Sequence, residues 1–273
     1  MRQQRSYPIE ALVLKRTDIG EADRILTLFT PNRGKMRAVA KGIRRPISKK
    51  AGHLELLNRS QLQIALGRNL DIITQAEGRE NFLQLRNQLW HMTCGYYLVE
   101  LVDGFVEDST PHLDVYALLL EALRYLDADA SALQQQQDQK AEVNSEQVDE
   151  HGHTRLLLRY FEIRLLTAIG YEPVLQQCAQ CANELQPEEN GFRASLGGAL
   201  CPQCSRFWER HLSLNALKVL RFLQQRKWIE ASYLNLDVRL QVELEAVMHD
   251  LLRFHLERDL KSWSFLDMLH ISI

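Results

Sequence analysis

The chain has 273 residues, 45% of them apolar, and a net charge of −2, enough for one large domain or two to three small ones whose cores need no cross-link. No apolar run follows the N-terminal Met1-Arg-Gln-Gln-Arg-Ser-Tyr-Pro and none reaches the roughly 18 residues of a membrane span, so a cytoplasmic protein with no membrane partner is expected. The small net charge hides an asymmetry: residues 1–80 hold 16 Lys+Arg against 8 Asp+Glu, and residues 81–273 hold 17 against 27, as separate domains with separate partners would.

The first 80 residues read as short strands at Ile9–Arg16, Arg24–Thr30, Lys35–Lys41, Ser60–Leu66 and Leu70–Glu77. Turn signals at Asp18-Ile-Gly20, Pro31-Asn-Arg-Gly34 and Gly67-Arg-Asn69 separate several of them. Alternation places Met36, Ala38 and Ala40 on one face, opposite Lys35, Arg37 and Lys41, and puts Leu62, Ile64 and Leu66 together. A meander of three strands followed by a hairpin fits an OB-type barrel, and strand count alone fits an SH3-like barrel almost as well. Beyond Asn81 the period becomes helical: Leu85, Leu89, Met92, Tyr96 and Val99 mark one face, and a second helix is expected over His112–Leu126. Residues 127–154 carry a glutamine tract and many acids, a composition that predicts a disordered insertion. A helix through Leu156, Tyr160, Ile163 and Thr167 ends at Gly170 and Pro173; Ser213 caps another, and Leu240, Leu244, Val247, Leu251 and Phe254 mark a last one. The expected architecture is α+β: an OB-type five-stranded β-barrel over 1–80, an all-α domain over 81–273, and a zinc-ribbon-like module inserted at 174–208.

Four cysteines define that module. Cys178-Ala-Gln-Cys181 is followed after nineteen residues by Cys201-Pro-Gln-Cys204, two hooks that offer four thiolates to one tetrahedral zinc ion. Between them Phe192–Leu200 reads as a hairpin turning at Gly197-Gly198. Four protein ligands leave no open coordination position, so the zinc is expected to be structural. Cys94 lies in an apolar helix and reads as a core residue.

The second constellation is basic. Arg33, Lys35, Arg37, Lys41, Arg44, Arg45, Lys49 and Lys50 occur with no acid between Asp23 and Glu55. Cations at this density favour a polyanionic partner, nucleic acid above all, over a solvated strand edge. Tyr7 and Phe29 are the only aromatics before Phe82, too few for an extended stacking platform, so phosphate contacts should dominate. No phosphate loop, H-E-x-x-H or G-x-S-x-G motif occurs, and nothing argues for an enzyme.

These residues resemble the RecO family of bacterial recombination mediators over nearly the whole chain. Glu21–Thr30, Arg33-Gly-Lys35 and Ala38–Arg45 are similar to the family's barrel. Phe161–Leu166, Gly170-Tyr-Glu-Pro173 and the first cysteine hook are similar to its helix-to-zinc passage, and Arg258–Leu266 to its ending. The resemblance implies binding of single- and double-stranded DNA, annealing of complementary strands and, with RecR, help for RecA in replacing single-strand-binding protein, in a cytoplasmic, nucleoid-associated protein. Two other readings stay open: an RNA-binding OB/zinc-ribbon protein, and a scaffold whose acidic half recruits other proteins.

Overall fold

The computed structural model describes residues 6–139, 151–205 and 210–271. The chain forms two compact units, residues 1–131 with 265–273 and residues 132–264.

In the first unit, β1 (Ser6–Ile19), β2 (Asp23–Thr30), β3 (Gly34–Ala40), β4 (Arg59–Ala65) and β5 (Asp71–Glu80) close into a barrel in the order β1-β2-β3-β5-β4. All pairings are antiparallel except a short parallel seam between β3 and β5, where Ala38 faces Asp71 and Val39 faces Ile72. That seam separates an OB-type Greek key from a plain up-and-down meander. Period-two alternation fills the interior with Ile9, Ala11 and Val13 of β1, Leu26 and Leu28 of β2, Ala38 and Ala40 of β3, Leu62 and Ile64 of β4, and Ile73 of β5. Met36 packs at the edge of this core, as the alternation predicts, whereas Leu66 falls beyond β4 and is exposed.

The outer face of β1 is also covered. Leu12 and Leu14 are buried and α2 packs against the strand, while Phe29 lies under Tyr116 with ring centroids 5.7 Å apart. Tyr116 donates to Glu10 at 2.9 Å, and Arg59 bridges Glu10 and Glu80. Gly34 closes the β2–β3 turn at φ +65°, and a Cβ there would lie 2.1 Å from the Thr110 carbonyl oxygen. Only glycine meets both demands.

The helices begin with α1 (Leu83–Asn87) and α2 (Leu89–Phe105). Gln88 is extended between them, which resets the helical phase. As a result Leu89 is exposed, and the buried face runs through Trp90, Cys94, Tyr97, Leu98 and Leu101 instead of Leu89, Met92 and Tyr96. Cys94 is fully buried, as a core residue should be.

Helix α3 (Leu113–Gln139) runs thirteen residues into the segment expected to be disordered. Ala128, Ala130, Ala132, Leu133 and the glutamines are good helix formers, and Ala130 is buried. Two acids in this part are also engaged: Asp127 accepts the Leu85 N–H at 2.9 Å, and Asp129 lies 2.9 Å from buried His91. Residues 140–150 of the expected insertion lie outside the described residues, and 152–154 already belong to α4 (Gly152–Ala168).

In the second unit α4 is buried on nearly every side, which explains its apolar residues all round. Its buried Arg159 pairs with Glu162 at 2.7 Å. A small sheet follows, β6 (Asn190–Arg193) between β7 (Gly198–Leu200) and β8 (Arg210–Leu212). Then come α5 (Leu214–Gln225), α6 (Trp228–Ala231) and α7 (Val238–Leu256); α8 (Lys261–Ile271) begins in this unit, and its residues from Phe265 on belong to the first. Helices α5 and α7 both pack on α4. The Ser213 side chain accepts the Ala216 N–H at 3.1 Å, the cap that its sequence position predicts.

Candidate nucleic-acid interface and metal centre

The eight cations singled out in the sequence occupy β3, the turn before it and the loop after it, but they do not behave alike. Lys35 departs most from expectation. The end of α2 and the residues after it cover its strand face, so its Nζ is buried, donates to the Asp103 carbonyl oxygen at 2.7 Å and lies 3.4 and 3.5 Å from the Asp103 and Asp108 carboxylates. Lys50 is half-buried and donates to the Ile73 carbonyl oxygen at 2.9 Å; burial lowers its pKa. Arg44 bonds the Gly20 carbonyl oxygen at 3.3 Å and shares Asp18 with Arg24. The carboxyl of exposed Asp18 is held below its usual range, chiefly by the Arg24 hydrogen bond.

Arg37, Lys41, Arg45 and Lys49 are exposed and pair with no carboxylate among the described residues. The loop that carries three of them is fixed by internal bonds. Asp23 accepts the Gly42 N–H at 2.7 Å, Ala22 the Arg44 N–H at 3.0 Å, and Ile43 inserts into the barrel core. Four exposed cations on one ordered strand and loop are the kind of surface that attracts a polyanion. Beside them Arg33 lies over the Tyr7 ring, its guanidinium carbon 4.2 Å from the ring centroid. Tyr7 and Arg33 are 26 residues apart, so only the folded barrel brings them together.

In the second unit, the sulfurs of Cys178, Cys181, Cys201 and Cys204 all lie within 4.8 Å of one another, near enough to share one metal ion. Two turns aim them inward. Cys178 donates its N–H to Asn183 at 2.7 Å and accepts the Ala182 N–H at 2.9 Å, with Ala182 at φ +60°. Cys201 accepts the N–H groups of Cys204 and Ser205, each at 3.0 Å. The sulfurs of Cys181 and Cys201 are 3.8 Å apart. That matches the edge of a tetrahedron with metal–sulfur bonds of about 2.3 Å, the length found for zinc.

The four thiols lie close enough to influence one another's ionisation. Burial opposes ionisation of Cys178, but backbone N–H groups of Cys181, Cys201 and Gln180 more than offset it and bring its pKa to about 6. Cys204 is pushed up to about 12 by desolvation and by the other three thiols. Four such groups ionise together only around a positive ion. The intervening hairpin turns through Ala194–Gly197 with Gly197 at φ +66°, and Gly198 already belongs to β7. Residues 206–208 of the expected module lie outside the described residues.

A wider cleft of about 870 Å³ in the second unit also contains arginines, but two of them are neutralised locally: Arg210 by Asp250 at 2.5 Å and Arg253 by Asp259 at 2.9 Å. His153, expected in a disordered stretch, packs against Trp228 with ring centroids 5.3 Å apart. No helix among the described residues is long and apolar enough to cross a membrane.

Residues 1–82 match the family described as recombination protein O N terminal, and residues 146–264 the one described as recombination protein O C terminal. The DNA repair protein RecO of Roseiflexus sp. (strain RS-1) is 38% identical over 265 residues, 96% of this chain and 86% of the relative. That of Dehalococcoides mccartyi (strain BAV1) is 32% identical over 273 residues, 100% of this chain and 99% of the relative. That of Desulforamulus reducens is 32% identical over 268 residues, 97% and 96% of the two chains.

Proposed function

We propose that this chain, which belongs to the RecO family of DNA repair proteins, is a non-enzymatic mediator of recombination that holds DNA on the barrel of its first unit. The observation that carries the reading is the set Arg37, Lys41, Arg45 and Lys49: exposed, unneutralised and mounted on an ordered strand and loop. Each cation that meets a phosphate releases condensed counterions, so binding is driven largely by charge and falls with salt. Two strands that approach one basic surface repel each other less, which lets complementary bases pair. Arg44 reinforces the patch while tethered to Asp18; Lys35 and Lys50 act mainly as structural cations.

The four cysteines are read as a structural zinc site. Bound there, zinc would supply a fixed cross-link between the two hooks. The protein's own groups already brace the segment that leads to the site: Arg221 and Gln224 of α5 donate to the Leu175 and Pro173 carbonyl oxygens at 2.8 and 3.0 Å. These bonds tie the segment after α4 to the last turns of α5. Single- and double-stranded DNA, RecR and single-strand-binding protein are the proposed partners, with RecA acting downstream, in the cytoplasm at the nucleoid.

A strand-annealing assay tests the proposal. Complementary oligonucleotides should pair faster with the protein than without it, also when coated with single-strand-binding protein. Equal rates with and without the protein would contradict it. Equal-length RNA strands in competition separate this reading from RNA binding.

A further inference from the structure

The phosphate patch leaves one feature of the barrel unused. A cleft of about 560 Å³ opens beside it, lined by Tyr7, Asn32, Arg33, Met36, Asn69 and Asp71, among others. This is within the range of small-molecule pockets, roughly 300–1,000 Å³. Tyr7 is held in place at one edge: its hydroxyl donates to Asp71 at 2.6 Å, and burial together with that bond raises its pKa to about 12, so it stays a neutral donor. The Arg33 guanidinium covers its ring at 4.2 Å. Arg33 is exposed, so a planar cationic surface backed by an aromatic ring faces the opening.

The charges in the cleft select its occupant. Asp71 and Asp108 line it, and buried Lys35 is already engaged by Asp103 and Asp108. Asp71 and Asp108 offset most of the charge that Arg33, Lys35 and Arg37 bring to the lining, so the cleft is less cationic than the patch beside it. A nucleobase is neutral, stacks on a guanidinium, and exchanges hydrogen bonds with amides such as those of Asn32 and Asn69 and with acids such as Asp108. Arg37 also lines the cleft and belongs to the phosphate patch, so a strand held there can turn a base inward.

We propose that this cleft takes one unpaired nucleobase, stacked on the Arg33–Tyr7 pair, so that the barrel contacts bases as well as phosphates. The inference rests on the DNA-binding reading above and adds a preference for single strands, because a paired base must first leave its stack to enter.

The test compares two single strands of equal length and charge, one with bases and one built entirely of abasic deoxyribose phosphate, by fluorescence anisotropy. The intact protein should bind the base-bearing strand about tenfold more tightly, the range expected for stacking of one base. Arg33→Lys keeps the charge and removes the planar group. It should shrink the gap to about twofold or less while affinity for the abasic strand and the salt dependence stay as they were. Arg226→Lys, an exposed arginine of the second unit that belongs to neither the cleft nor the basic patch, should leave the gap intact. An equal gap in Arg33→Lys and the unaltered protein, or no gap in the unaltered protein, would overturn the proposal while leaving phosphate binding in place. Failure of both strands to bind at low salt would instead remove the nucleic-acid reading, and this inference with it.

Discussion

Replacing Arg37, Lys41, Arg45 and Lys49 together with alanine changes charge where the structure shows no local neutralisation. Each phosphate contact on a single strand contributes about 0.7 to the slope of log affinity against log salt, so loss of four contacts should flatten it by about 2.8. Over a rise from about 50 to 200 mM salt, those four contacts account for about a 50-fold loss of affinity that the variant should not show. The assay is an anisotropy titration of a labelled single strand at several salt concentrations. Because all four side chains are exposed, the variant should melt close to the unaltered protein. Lys35→Ala should do the reverse, lowering thermal stability through the orphaned Asp103 and Asp108 contacts while changing the slope little. An unchanged slope in the fourfold variant, or a loss of slope on replacing Lys35 alone, would refute the assignment of phosphate contacts.

Three further outcomes follow from other parts of the molecule. Cys178→Ser with Cys181→Ser should abolish metal binding, measured by elemental analysis, and lower the melting temperature, while DNA affinity changes by about threefold at most. Ser213→Ala removes the cap of α5 and a 2.8 Å bond to Glu243, and should cost about 1–2 kcal/mol in urea unfolding. The carboxyls of Glu10 and Glu80 are held below their usual values: burial raises that of Glu10, but Arg59 and Tyr116 outweigh it, and Arg124 is the main cause at Glu80. Depressed carboxylates stabilise the fold above their unfolded pKa of about 4.3, and that stability is lost as pH falls through the lower folded values. Melting temperature should therefore drop steeply below about pH 4.3, and Glu10→Gln should show a shallower drop.

The features legible in the sequence are those set by near neighbours. Alternation fixed which faces of β3 and β4 enter the barrel, Ser213 marked a helix start, and the two C-x-x-C hooks placed their sulfurs within reach of one ion because each hook is a local turn. What escaped depends on contacts between distant segments. Nothing near Lys35 signals that Asp103 and Asp108, about 70 residues on, will bury its amine. The pairing of Tyr7 with Arg33 needs the barrel to close, and Phe29 is fully buried, with Tyr116 of α3 against its ring. Two errors were local in origin. One extended residue, Gln88, shifted the buried face of α2, and the acid-rich composition after Leu126 concealed helix formers that tertiary contacts stabilise.

DNA should lie on the barrel and not on the cysteine module. Ultraviolet cross-linking of a single strand to the metal-loaded full chain, mapped by mass spectrometry, tests it most directly. Cross-links should fall on Tyr7 and on the segment Arg33–Lys49. Cross-links confined to residues 178–205, with none on the barrel, would contradict it.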